Sequence, residues 1–144
     1  MGRKQTRKRK HIRFFLASMI LFLLFGCVFL ERNRFSGDLR NAADLYARGD
    51  FEDALKVNQD IVSLAEGKPP GDQSLFNIGL IYADNKYQKK DYRKSIAFFQ
   101  RVVKEYPQSP LVAQAKTWIG VLVVIERSKE IDIELERKKK RLVR

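Results

Sequence analysis

The chain has 144 residues and a formal net charge of +12. The excess sits at the ends: seven cations precede the first acidic residue, Glu31, and six follow the last, Glu136, leaving 16 cations against 17 anions between them. A neutral middle offers no nucleic-acid-reading face, and with His11 the only histidine and Cys27 the only cysteine, residues 28–144 hold no imidazole or thiolate metal site, Ser-His or Cys-His nucleophile, or disulfide, so that no metal, cofactor or catalytic residue is expected.

Residues 1–13 form a basic leader, and residues 14–30, FFLASMILFLLFGCVFL, are uncharged. A helix of that length reaches about 25 Å, slightly short of the roughly 20 residues that span a bilayer comfortably. Cations ahead of an apolar run send the following chain across the inner membrane, which places residues 31–144 outside the cytoplasm. LLFGC at 23–27 resembles the bacterial lipobox, with Leu24, Gly26 and Cys27 at matching positions. That resemblance makes Cys27 a candidate for lipidation, the favoured reading. Phe25 and the apolar Val28-Phe29-Leu30 depart from it and keep open an uncleaved single-pass anchor. Both alternatives tether the protein to membrane lipid.

Beyond the apolar run the periodicity is helical. Ser36 is placed to cap a first helix, LRNAADLYARG (39–49), closed by Gly49. Asp50 is placed to cap a second (51–67), in which Phe51, Ala54, Leu55, Asn58, Ile61, Val62 and Ala65 share a stripe. Asp72 or Ser74 opens a third (74–85). A polar loop over Lys86–Lys90 precedes a fourth (91–106), with Tyr92, Ser95, Ile96, Phe99, Val102, Val103 and Tyr106 on one face before Pro107. Gln108-Ser109-Pro110 caps a fifth helix that runs from Leu111 past Arg137, the apolar run Val121–Ile125 being read as buried helix.

A 41-residue period relates the pairs, since Ala54 and Ser95, and Ile78-Gly79 and Ile119-Gly120, are each separated by that interval. SLFNIGLIYAD and DYRKSIAFFQRVVKEYP resemble the two helices of a tetratricopeptide repeat, with Leu75, Gly79, Tyr82, Ser95, Phe99, Val102 and Pro107 at its defining positions and Gly120 repeating Gly79. Tyr82 to Ser95 is 13 positions where the family has nine, so four extra residues fall in the NKYQKK loop, an insertion expected to leave packing intact. The first pair is more degenerate, with Asn58 where an aromatic is usual. Gly79 is expected to permit close helix approach, Ser95 to sit at the tightest crossing, and Tyr82 and Phe99 to fill the space between.

The resemblance implies an all-α, right-handed array of helical hairpins: two repeats plus an extended C-terminal capping helix, behind the N-terminal membrane segment. It divides the chain into a basic leader (1–13), a signal or anchor (14–30), a repeat domain (36–126) and a charged helical extension (127–144). It also implies a concave protein-binding groove presenting Gln73, Phe76, Asn77, Leu80 and Asp84, continued by Gln114, Thr117, Trp118 and Val121. Gln114 and Trp118 stand where a carboxylate clamp needs Lys and Arg, which disfavours that mode. Phe76 and Trp118 are the candidate hot spots, with core packing as the competing role.

In the last helix Val121, Val124, Ser128, Ile131, Leu135, Lys138 and Leu142 follow a 3-4 spacing, so a second copy of the chain is a further candidate partner, against a solvated extension. The bacterial periplasmic repeats that share the Tyr-Pro-x-Ser-Pro junction, here Tyr106 to Pro110, belong to envelope lipoproteins. The resemblance therefore implies a non-catalytic adaptor that binds envelope proteins. The alternatives are an envelope hydrolase working through carboxylates alone and a membrane adaptor facing the cytoplasm.

Overall fold

The computed structural model describes residues 35–142, and every regular element among them is helical. The charged leader, the apolar run and Cys27 lie outside the described residues, and no helix among the described residues is long and apolar enough to cross a membrane. The described residues form a helical array that is compact from Asp38 onward. Its elements are α1 (residues 35–48 as far as it is described), α2 (Phe51–Ala65), α3 (Gly71–Ala83), α4 (Tyr92–Glu105) and α5 (Val112–Leu142).

Helix ends depart from the sequence expectations in informative ways. Residue 35 is already helical, so Ser36 lies within α1 and is not its cap. Gly49 closes α1 with φ +86° while its amide donates to the Tyr46 carbonyl and the Asp50 amide to the Leu45 carbonyl, the paired bonds of a Schellman ending. Asp50 makes no side-chain cap and pairs with Arg48 at 3.2 Å. Pro70, not Asp72 or Ser74, precedes α3; the Asp72 carboxylate instead accepts the Ser109 hydroxyl at 2.6 Å, and Ser74 is buried. At α4 Asp91 lies ahead of the helix and caps it, its Oδ1 accepting the Lys94 amide at 3.0 Å. α5 starts two residues after Pro110, because a turn comes first in which the Ser109 carbonyl accepts the Val112 amide.

Packing repeats with the 41-residue period. Ala54, Asn58, Ile61 and Ala65 are buried on α2, and the corresponding Ser95, Phe99 and Val102 on α4 and Tyr106 at its C-cap are buried. Likewise Ile78 and Ile81 of α3 pack with Ala54 and Leu55 of α2, while their equivalents Ile119 and Leu122 of α5 pack with the core that holds Phe99 and Val102 of α4. The same phase of each helix therefore meets the helix before it.

The α3–α4 crossing shows why small residues are needed there. The Ser95 hydroxyl donates to the Gly79 carbonyl at 2.6 Å, and a β-carbon on Gly79 would lie 2.7 Å from Phe99 Cε1. Phe99 is fully buried, so its ring has nowhere to go. Leu75, Val102 and Phe76 complete that core.

Two expectations about the repeat change. The four extra loop residues are not idle: Tyr87 is 6% exposed, its ring lies 5.3 Å from that of Phe51 and 6.0 Å from that of Tyr82, and its hydroxyl donates to Glu52 at 3.1 Å. The loop folds back because its turns are internally bonded, ending with the Asp91 amide on the Tyr82 carbonyl. Gly120, by contrast, faces open space. No helix follows α5 among the described residues, and Lys116 and Thr117 stand where α3 has Leu75 and Phe76, so that side of α5 is a solvated cap.

α5 continues unbroken to Leu142. Arg93 binds Glu126 and Glu130, each at 3.1 Å, and Lys129 lies 4.0 Å over the Tyr92 ring. Every described residue after Glu130 is exposed.

Candidate functional site

The helices that alternate with α2 and α4 bring together part of the proposed groove. A recess of about 80 Å³ is lined by Ala42, Ala43 and Tyr46 of α1, Asn58 of α2, and Asn77, Leu80 and Ile81 of α3. Its floor is a chain of amides. Asn58 donates to its own helix at the Ala54 carbonyl (2.8 Å) and accepts from Asn77 at 3.2 Å, while Asn77 accepts from Gln73 at 3.0 Å. Asn58 is 1% exposed, so its side chain is fixed by these bonds, as a buried amide requires.

The 41-residue relation turns this amide pair into an aromatic pair one repeat later. Asn58 corresponds to Phe99 and Asn77 to Trp118, and where Asn77 bonds Asn58, the Trp118 ring stacks on Phe99 at 6.0 Å and 12°. Trp118 is 37% exposed. It therefore packs on the buried Phe99 while part of its surface stays open to solvent.

The other expected groove residues separate. Leu80 and Asn77 line the recess, and Gln73 supports Asn77. Gln114, Thr117 and Val121 are exposed. Phe76 is 6% exposed with its ring 5.1 Å from Phe99; it is a core residue because α4 crosses directly over it. Asp84 is committed internally, accepting the Tyr46 hydroxyl at 2.6 Å and the Lys86 amide at 2.8 Å. Sequence reasoning missed Ala43, Tyr46 and the amide pairing of Asn58. The signal for the last was present, since a buried-phase asparagine at an aromatic position needs a polar partner.

The shifted titrations follow from burial and from hydrogen bonds between side chains. The Tyr46 hydroxyl and the Lys86 amide hold the Asp84 carboxyl below its usual range, and Lys89 followed by Tyr87 does the same for Glu52. Burial, then the hydrogen bond to a carboxylate, pushes the phenols of Tyr46 and Tyr87 up to about 12. Among the described residues there is no group of three or more His, Cys, Asp or Glu that could hold a metal ion.

A pH dependence follows from the raised phenols. Because both ionise later folded than unfolded, their stabilisation is complete below pH 10 and is lost as pH rises through about 12. Urea unfolding at increasing alkaline pH should show stability falling across that interval, and the Tyr46→Phe/Tyr87→Phe double variant should show a shallower fall. Parallel curves for the two proteins would remove these phenols from the balance.

Residues 73–109 match the family model of the tetratricopeptide repeat, the stretch containing most of α3, the inserted loop and α4. No curated protein and no solved structure matches the chain significantly. Repeats of this kind are interaction modules, so the match points to the binding of other proteins.

Proposed function

We propose that the protein is a membrane-tethered adaptor that binds an extended segment of an envelope protein along the face formed by α1, α3 and α5. The observation that carries this reading is the succession on one repeat phase of an amide-floored recess at Asn77 and Leu80 and a half-open aromatic at Trp118 beside exposed Val121. Amide side chains suit the main chain of a bound segment, and an aromatic edge with an apolar neighbour suits one of its side chains. Tethering by residues 14–30 confines the domain to a membrane surface and raises its effective concentration near partners there. The periplasmic face is favoured by the seven cations ahead of Phe14.

Photo-crosslinking in cells tests the face. A benzoylphenylalanine at Leu80 or Val121 should capture the same partner, and one at Lys104, exposed on α4, should not. Trp118→Ala should weaken that partner's binding by about tenfold or more, the loss typical of a central aromatic. Equal capture from Lys104, or none from the groove positions, refutes the assignment. The mass of the membrane-extracted protein decides the tether: a chain starting at acylated Cys27 is a lipoprotein, a full-length chain carries an anchor, and a chain found only in the soluble fraction refutes tethering.

A further inference from the structure

Beyond the groove residue Val121, about the last five turns of α5 carry an apolar stripe that the repeat does not use. Val124, Ile131, Leu135 and Leu142 are between 52% and 87% exposed, and Ser128 and Lys138 complete their 3-4 spacing. At about 100° per residue this stripe lies about half a turn away from Ala115, Leu122 and Glu126, the residues α5 turns toward α4. A straight helix could therefore lie along it without touching the repeat.

The charges flanking the stripe say which helix. With Ser128 and Leu135 as the first core position of each heptad and Val124, Ile131 and Lys138 as the fourth, the residues just before the first core position are Arg127 and Glu134, and those just after the fourth are Ile125, Asp132 and Lys139. In a parallel, in-register pair of identical helices, the residue before one core position faces the residue five places later on the other helix. Arg127 then meets Asp132 of the second copy, and Glu134 meets Lys139 of the second copy. By symmetry each contact occurs twice, and all four are between opposite charges. The antiparallel arrangement matches only Arg127 with Glu134 and sets Asp132 against Ile125.

We infer that α5 forms a parallel two-stranded coiled coil with a second copy of the chain, its seam running from Val124 to Leu135. Lys138 ends the seam: it is held by Glu134 of its own helix at 3.0 Å, and paired lysines do not fill a coiled-coil core. Dimerisation doubles the binding faces on one particle. The seam does not depend on what those faces bind.

Sedimentation of the full chain in detergent, in a Cys27→Ser background, tests the pairing. The expected result is a reversible dimer that Ile131→Asp converts to monomer while the melting of the repeat is unchanged, and that crosslinks through an added Ser128→Cys on mild oxidation. Arg127→Asp should weaken the dimer about tenfold, two attractive pairs becoming repulsive, and adding Asp132→Arg should restore it. A monomer at all concentrations, a dimer indifferent to Ile131→Asp, or the absence of rescue by Asp132→Arg overturns the proposal. Groove crosslinking in the Ile131→Asp variant reads the adaptor function separately.

Discussion

Gly79→Arg is expected to abolish the cooperative thermal transition of the helical unit, and Gly79→Ala to lower its midpoint by about 5–10 °C. The first β-carbon already falls 2.7 Å from Phe99 Cε1 and 2.8 Å from Cζ, and the ring it meets is enclosed by Phe76 and Trp118. Overpacking of this kind costs about 1–3 kcal/mol, offset by about 1 kcal/mol from the better helix propensity of alanine, which leaves a net loss near 1 kcal/mol or somewhat more. Arginine adds a chain that can leave the crossing only by separating α3 from α4. Calorimetry or far-ultraviolet circular dichroism reads both effects. A double variant with Phe99→Leu should recover part of the alanine loss, because the clash is with the ring. Unchanged melting in Gly79→Arg would contradict the crossing itself.

Tyr87→Ala should destabilise the unit by about 3 kcal/mol, the cost of emptying a buried aromatic site. The side chain closes the end of the α2–α3 hairpin, between Phe51 and Tyr82, from a loop that connects α3 to α4. Tyr87→Phe keeps the ring and removes only the bond to Glu52, for a loss of about 1 kcal/mol. Urea denaturation of the two variants separates these contributions. Gln88→Ala, one residue along and exposed, should change little. If Tyr87→Ala also proved neutral, the insertion would be the passive spacer that its polar composition suggests.

Gly79 and Tyr87 differ in how far the residues alone reveal their roles. The buried stripe of α2 and the meeting of Gly79, Ser95 and Phe99 were legible, and the structure places them as expected. A helix's buried face follows from apolar spacing within one segment, and a repeated small residue marks a close crossing wherever a second helix arrives.

What required the tertiary structure depends on which neighbour arrives. Gly79 and Gly120 stand at the same repeat position, yet one lies beneath Phe99 and the other faces open space, because α4 follows α3 and no described helix follows α5. Phe76 and Trp118 had equal claims as binding aromatics. α4 covers the first, whereas the second stacks on Phe99 with an edge left free. Tyr87 lies in a run of polar residues and is buried only because the loop's turns return it to α2. Local periodicity determined the helices and their inward faces; burial at helix ends and in loops was decided by contacts between distant segments, which no short window of sequence contains.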